Sequence, residues 1–82
     1  MDDTILLERI STNPAVLSGK PVIKGTRLSV EFILNLLAHG STFEEIIDEY
    51  SSLTTDDIRA CLLFAGASLS RTDFMPLVME TA

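Results

Sequence analysis

The chain has 82 residues, 46% of them hydrophobic and 22% charged, with a formal net charge of −6. This is the composition of one small globular domain rather than a disordered segment, and its acidic balance argues against a protein that coats nucleic acid unaided. With one cysteine, Cys61, and one histidine, His39, an internal disulfide and an ordinary zinc site drop out, and no metal or cofactor is expected.

The first third reads as extended. Leu6 to Ser11 and Pro21 to Lys24 are β-prone pieces, separated by the turn-forming dipeptides Asn13-Pro14 and Ser18-Gly19. Pro21 lacks an N–H, so a strand there begins at it or lies at an edge. A ribbon this small is marginal alone and needs helices or a second subunit to pack on.

Ser29 is placed to cap a helix over Val30 to His39, with Gly40 at the left-handed position that ends helices. Val30, Ile33, Leu34 and Leu37 form its apolar stripe, widened by Phe32 and Leu36. Thr42 and Glu45 make a capping-box pattern for a second helix, with Phe43, Ile46, Ile47 and Tyr50 on one face and Glu44, Glu45, Asp48 and Glu49 on the other. A third helix begins after Leu53 with Thr54 or Thr55 as cap and Asp56 and Asp57 complementing the helix dipole. Its expected core stripe is Ile58, Cys61, Leu62 and Ala65, and a second stripe, Leu63, Phe64 and Ala67, lies on a different side. From Leu69 to Ala82 the chain stays apolar, with Phe74, Met75, Leu77, Val78 and Met79, but Pro76 interrupts any helix there.

The fold class expected is mainly α: a three-helix bundle over residues 29–68, to which the resemblance given below adds the homeodomain-like, helix-turn-helix type, preceded by an extended segment with a short β-ribbon and basic loop over 1–28. An apolar tail over 69–82 completes one domain. No apolar run reaches the roughly 18 residues of a membrane span, and the acidic start Met1-Asp2-Asp3-Thr4 is unlike a secretory signal, so the expected location is cytoplasmic, away from membrane.

Charge is spread unevenly. Gly19 to Arg27 holds three of the six basic side chains and two of the four glycines. Lys20, Lys24, Thr26 and Arg27 are therefore the candidate DNA- or anion-binding residues, Gly25 permitting close backbone approach. The alternative is a structural turn in which Arg27 pairs with a carboxylate of the acidic helices. A nucleotide phosphate loop is excluded by residue order, because Gly19-Lys20 is followed by Pro21 rather than by Ser or Thr. If the last two helices form a helix-turn-helix, the reading helix starts at Thr54, where Asp56 and Asp57 repel phosphate and only Arg59 compensates.

No catalytic residues are assigned: Cys61 sits in an apolar stripe as a small hydrophobe, and nothing is placed to orient His39 as its base. The acidic residues of the second helix read as a solvated face rather than a metal site. The surplus of apolar residues is the clearest sign of partners. Leu63, Phe64, Ala67, Phe74, Met75, Leu77 and Val78 exceed what a domain of this size buries, so either another molecule covers them or the tail folds back over the third helix.

The string Gly19-Lys20-Pro21-Val22-Ile23-Lys24-Gly25-Thr26-Arg27-Leu28-Ser29-Val30, with Asn13-Pro14, Gly40-Ser41, Glu44-Glu45-Ile46 and Leu53-Thr54-Thr55-Asp56-Asp57-Ile58, resembles a bacterial and archaeal family catalogued as domain of unknown function 433. The resemblance runs from about Ile10 to Ala67, and the tail beyond matches no shared pattern. It implies a homeodomain-like three-helix fold and an antitoxin role beside a nuclease-like toxin, with operator DNA as a further partner. The function expected is a non-enzymatic, homodimeric antitoxin with no small-molecule substrate. The alternatives are a stand-alone DNA-binding regulator and a structural dimerisation module.

Overall fold

The structure is a computed structural model and describes residues 2–70. It is mainly helical, with a two-stranded ribbon near the N-terminus. Helix α1 (Asp3–Leu7) opens the chain, its first turn capped by the Asp2 carboxylate, which accepts from the Thr4 amide at 3.2 Å. The expected strand over Leu6 to Ser11 is thereby corrected: Leu6 and Leu7 are helical, and strand β1 is confined to Ile10–Ser11. Leu6 explains the difference, since α1 packs on the last helix and buries this side chain to 4% exposure.

Strand β1 pairs antiparallel with β2 (Val22–Ile23), Ile10 opposite Ile23 and Ser11 opposite Val22. Between them, the Asn13 side chain accepts from the Ala15 amide at 2.9 Å, and a short 3-10 turn over Leu17–Gly19 reverses the chain through left-handed backbone at all three residues.

Helix α2 (Val30–Ala38) starts under Ser29, whose hydroxyl accepts from the Phe32 amide at 2.9 Å. It ends as a Schellman turn: Ser41 N–H reaches the Leu36 carbonyl and Gly40 N–H the Leu37 carbonyl, both at 3.0 Å, with Gly40 at φ 98°. Helix α3 (Phe43–Glu49) carries the full capping box, Glu45 N–H to Thr42 Oγ1 at 3.0 Å and Thr42 N–H to Glu45 Oε1 at 2.8 Å. Helix α4 (Thr55–Ser70) follows a short turn, so α2, α3 and α4 make the three-helix bundle and α1 is an addition to it.

The core joins Ile23, Val30, Ile33, Ile46, Leu53, Ile58 and Cys61, so the ribbon shares one interior with the bundle. Phe32 meets Tyr50 edge to face, ring centroids 5.8 Å apart. On α4 the buried arc differs from expectation. Ile58 and Cys61 are buried, but Leu62 is 44% exposed and Ala60 is buried instead. With α1 and β1 against α4, the covered face turns toward Asp57, Ala60 and Cys61, and Phe64, expected on a separate stripe, packs half-buried against the core. No helix among the described residues is long and apolar enough to cross a membrane.

Candidate binding surfaces

The basic loop is the tip of a β-hairpin built on β2. Val22 bridges to Ser29, Ile23 N–H donates to the Leu28 carbonyl at 2.9 Å, and Val30 N–H to the Pro21 carbonyl at 2.9 Å. The tip is a four-residue turn from Ile23 to Thr26, closed by Thr26 N–H to the Ile23 carbonyl at 2.9 Å. Gly25, its third residue, has φ 83°, the backbone a type II turn demands there. The Thr26 hydroxyl donates to the Ile23 carbonyl at 2.8 Å and accepts from Leu28 N–H at 3.0 Å, so it holds the turn together.

That turn presents Lys24 and Arg27 to solvent, and neither makes an ion pair among the described residues. Arg27 therefore does not find the carboxylate that a purely structural reading supplies. Lys20 differs: its ammonium lies 3.2 Å from Glu31 on α2, with both side chains more than half exposed, which makes a weak and salt-screened pair.

The N-terminus of α4 is tied down. The Asp57 carboxylate accepts from Thr54 N–H at 2.9 Å and from Thr54 Oγ1 at 3.2 Å, while Asp57 N–H reaches Thr54 Oγ1 at 3.3 Å. Its other oxygen accepts from Arg9 Nη1 at 3.1 Å. Asp56 lies 3.8 Å from Arg9 and 3.1 Å from Arg59. A helix-turn-helix reads bases with this turn of its second helix, and here two carboxylates occupy it while Arg59 is already paired. Sequence reasoning noted the acids but missed Arg9, whose partner stands 48 residues away. The Thr54-x-x-Asp57 spacing was the available signal for the cap.

Cys61 is wholly buried, and burial, followed by the nearby Asp57 charge, pushes its thiol up to about 12. It stays protonated at neutral pH. His39 is exposed at the end of α2, its Nδ1 2.8 Å from the Asn35 carbonyl oxygen. On α3, Glu44, Glu45, Asp48 and Glu49 are exposed, and among the described residues no group of three or more His, Cys, Asp or Glu is arranged to hold a metal.

Among the described residues, an open groove of about 500 Å³ lies between α2 and the C-terminal half of α4. Val30, Leu34, Ala38, Phe64 and Ala65 line it, with Lys20, Pro21 and Glu31 at one rim and Ser68 at another. Of the residues expected to meet a partner, Leu63, Phe64 and Ala67 are half-buried, and Phe64 alone of these lines the groove. Phe74, Met75, Leu77 and Val78 lie outside the described residues. A shallower hollow between α1 and α4 holds Leu62 and Leu63 beside Leu6, with Asp3 and Arg59 at its edge.

Among solved structures, a DUF433 member protein from Anabaena variabilis ATCC 29413 superposes with a TM-score of 0.73 over 83% of this chain and 67% of that one. At 24% identity this likeness establishes the fold. Among curated proteins, uncharacterized protein y4eO of Sinorhizobium fredii (strain NBRC 101917 / NGR234) is 31% identical over 61 residues, 74% of this chain. The chain spans 28% of that relative's length. The sequence profile described as "Protein of unknown function (DUF433)" matches residues 10–65, from β1 to the middle of α4. The chain belongs to the DUF433 family.

Proposed function

We propose that the chain is the antitoxin of a toxin–antitoxin pair: a non-enzymatic, cytoplasmic binding module that associates with itself and with a nuclease-like protein. The observation that carries this reading is the apolar groove between α2 and α4, open among the described residues, an apolar surface of the kind that marks an interface. The apolar faces around Leu63, Phe64 and Ala67, with Phe74, Met75, Leu77 and Val78 after them, supply the partner contact. The inaccessible, protonated Cys61 supports a binding role over a catalytic one.

A second reading, stand-alone binding of DNA, is favoured by one observation: Lys24 and Arg27 stand exposed on a rigid turn, with no ion pair among the described residues. In either case DNA meets the hairpin tip, with Lys20 and Thr26 behind it, and not α4, whose first turn is occupied by Asp56, Asp57 and Arg9. Co-expression with a nuclease-like chain encoded beside it tests the main reading. The two co-purify and growth is restored if it holds; independent migration and undiminished toxicity overturn it, and operator binding retained in that case leaves the regulator.

A further inference from the structure

We infer that a second copy of this chain docks on the hollow between α1 and α4, related to the first by a two-fold axis; this rests on the self-association proposed above and gives it a surface. Asp3, Leu6, Arg59, Leu62 and Leu63 line the hollow, and Leu62 is 44% exposed. The two charged residues at its edge have opposite sign. Asp3 makes no ion pair among the described residues, while Arg59 uses one nitrogen, Nη1, on Asp56 at 3.1 Å and keeps its side chain half exposed. The guanidinium has further N–H donors for a second carboxylate. An apolar patch flanked by both members of an ion pair complements itself: a two-fold rotation sets Asp3 of each copy against Arg59 of the other, with Leu62 of both copies near the axis.

Gly66 supports the same surface. It follows Arg59 and Leu62 along one stripe of α4, is exposed, and a Cβ in its place meets no atom within 4 Å. Glycine weakens a helix interior relative to alanine, and no contact among the described residues calls for it here. The bare backbone lets a second helix come closer than a side chain allows. At roughly 100° per residue, Leu62 and Gly66 lie about 160° around α4 from Phe64, so this dimer leaves the α2–α4 groove open to the other partner.

The test is sedimentation equilibrium of the full chain, with Asp3→Arg and Arg59→Asp measured apart and mixed. The unmodified chain is expected to dimerise in the micromolar range. Each variant alone sets like charges against each other at both symmetry-related contacts and is expected to weaken the dimer at least about tenfold, with circular dichroism unchanged. In the mixture every such contact is again a pair of opposite charges, so the heterodimer of the two variants forms with an affinity near that of the unmodified chain. Leu62→Ser, at an exposed position, is expected to weaken the dimer without moving the unfolding midpoint. A dimer indifferent to all three substitutions, or a mixture no better associated than its components, overturns this surface and leaves self-association standing. An unmodified chain that stays monomeric removes both, and neither result bears on capture of a nuclease-like chain in the groove.

Discussion

At the scale of single residues, the Asp57 carboxylate accepts three hydrogen bonds, from Arg9 and from the amide and hydroxyl of Thr54. It closes the N-terminus of α4 through Thr54 and anchors the N-terminal segment through Arg9, while itself only 8% exposed. Asp57→Ala removes the carboxylate half of the reciprocal cap and the ion-paired hydrogen bond, keeps the residue-57 amide on Thr54 Oγ1, and leaves Arg9 without its nearest carboxylate. Urea unfolding is expected to show a loss of about 2–4 kcal/mol. Arg9→Met is expected to cost less, because Arg9 is more exposed and Asp57 keeps Thr54. A double-mutant cycle returning no coupling between Arg9 and Asp57 would contradict this account.

Cys61 gives a pH prediction. Its thiol rises from an ordinary value of 9.0 to about 12 in the fold, so the folded state holds the proton more tightly than the unfolded chain. The stability this contributes is complete below pH 9 and is lost progressively between pH 9 and 12, with a limiting slope of about 1.4 kcal/mol per pH unit. Cys61→Ala is expected to flatten that alkaline limb in unfolding measured against pH. The sequence placed the α4 cap at Thr54 or Thr55, and the hydrogen bonds between Thr54 and Asp57 decide for Thr54. The Arg9 contact was not legible, because nothing local links positions so far apart.

At the scale of elements, chemistry that depends on neighbouring residues was readable and chemistry that depends on distant ones was not. Ser29, Thr42 and Gly40 each stand at the helix boundary their side chains imply, since a cap or a left-handed residue acts within one turn of its own position. Helix α1 escaped notice because five residues are too few for a periodic pattern, and its Ile5-Leu6-Leu7 run suits a strand as well. Packing of Leu6 on α4 decides it. The hairpin tip yields a prediction at this scale. Gly25→Ala places a Cβ at φ 83°, where no neighbouring atom lies within 4 Å, so its cost is backbone strain alone, about 1–2 kcal/mol in thermal or urea unfolding. A change below about 0.3 kcal/mol would show that the turn relaxes into another type.

At the scale of the whole molecule, the distribution of charge and of apolar surface matters more than any one bond. Lys24 and Arg27 stand exposed at the hairpin tip, and Lys24 shares a hollow with Glu8, Arg9 and Asp57. Joint replacement of these two by Glu is expected to leave the unfolding midpoint nearly unchanged, because neither makes an ion pair among the described residues. If DNA docks at the tip as proposed, the same pair of substitutions lowers the slope of log affinity against log salt by about 2 per protomer, since each phosphate neutralised contributes ~0.9 to it. Titration of operator DNA by fluorescence anisotropy at several salt concentrations measures it; an unaltered slope excludes the tip as the docking point.

Residue spacing within a turn or two settled the three helices of the bundle and the caps at Ser29 and Thr42, and a contiguous string settled the family. Tertiary structure alone decided that α1 covers one side of α4, that Leu62 is left exposed while Phe64 joins the core, and that Arg9 rather than Arg27 meets the acids at the start of α4. Those outcomes depend on which helix face meets which neighbour. Helical periodicity fixes how wide an apolar arc is, but only packing fixes which part of it is covered.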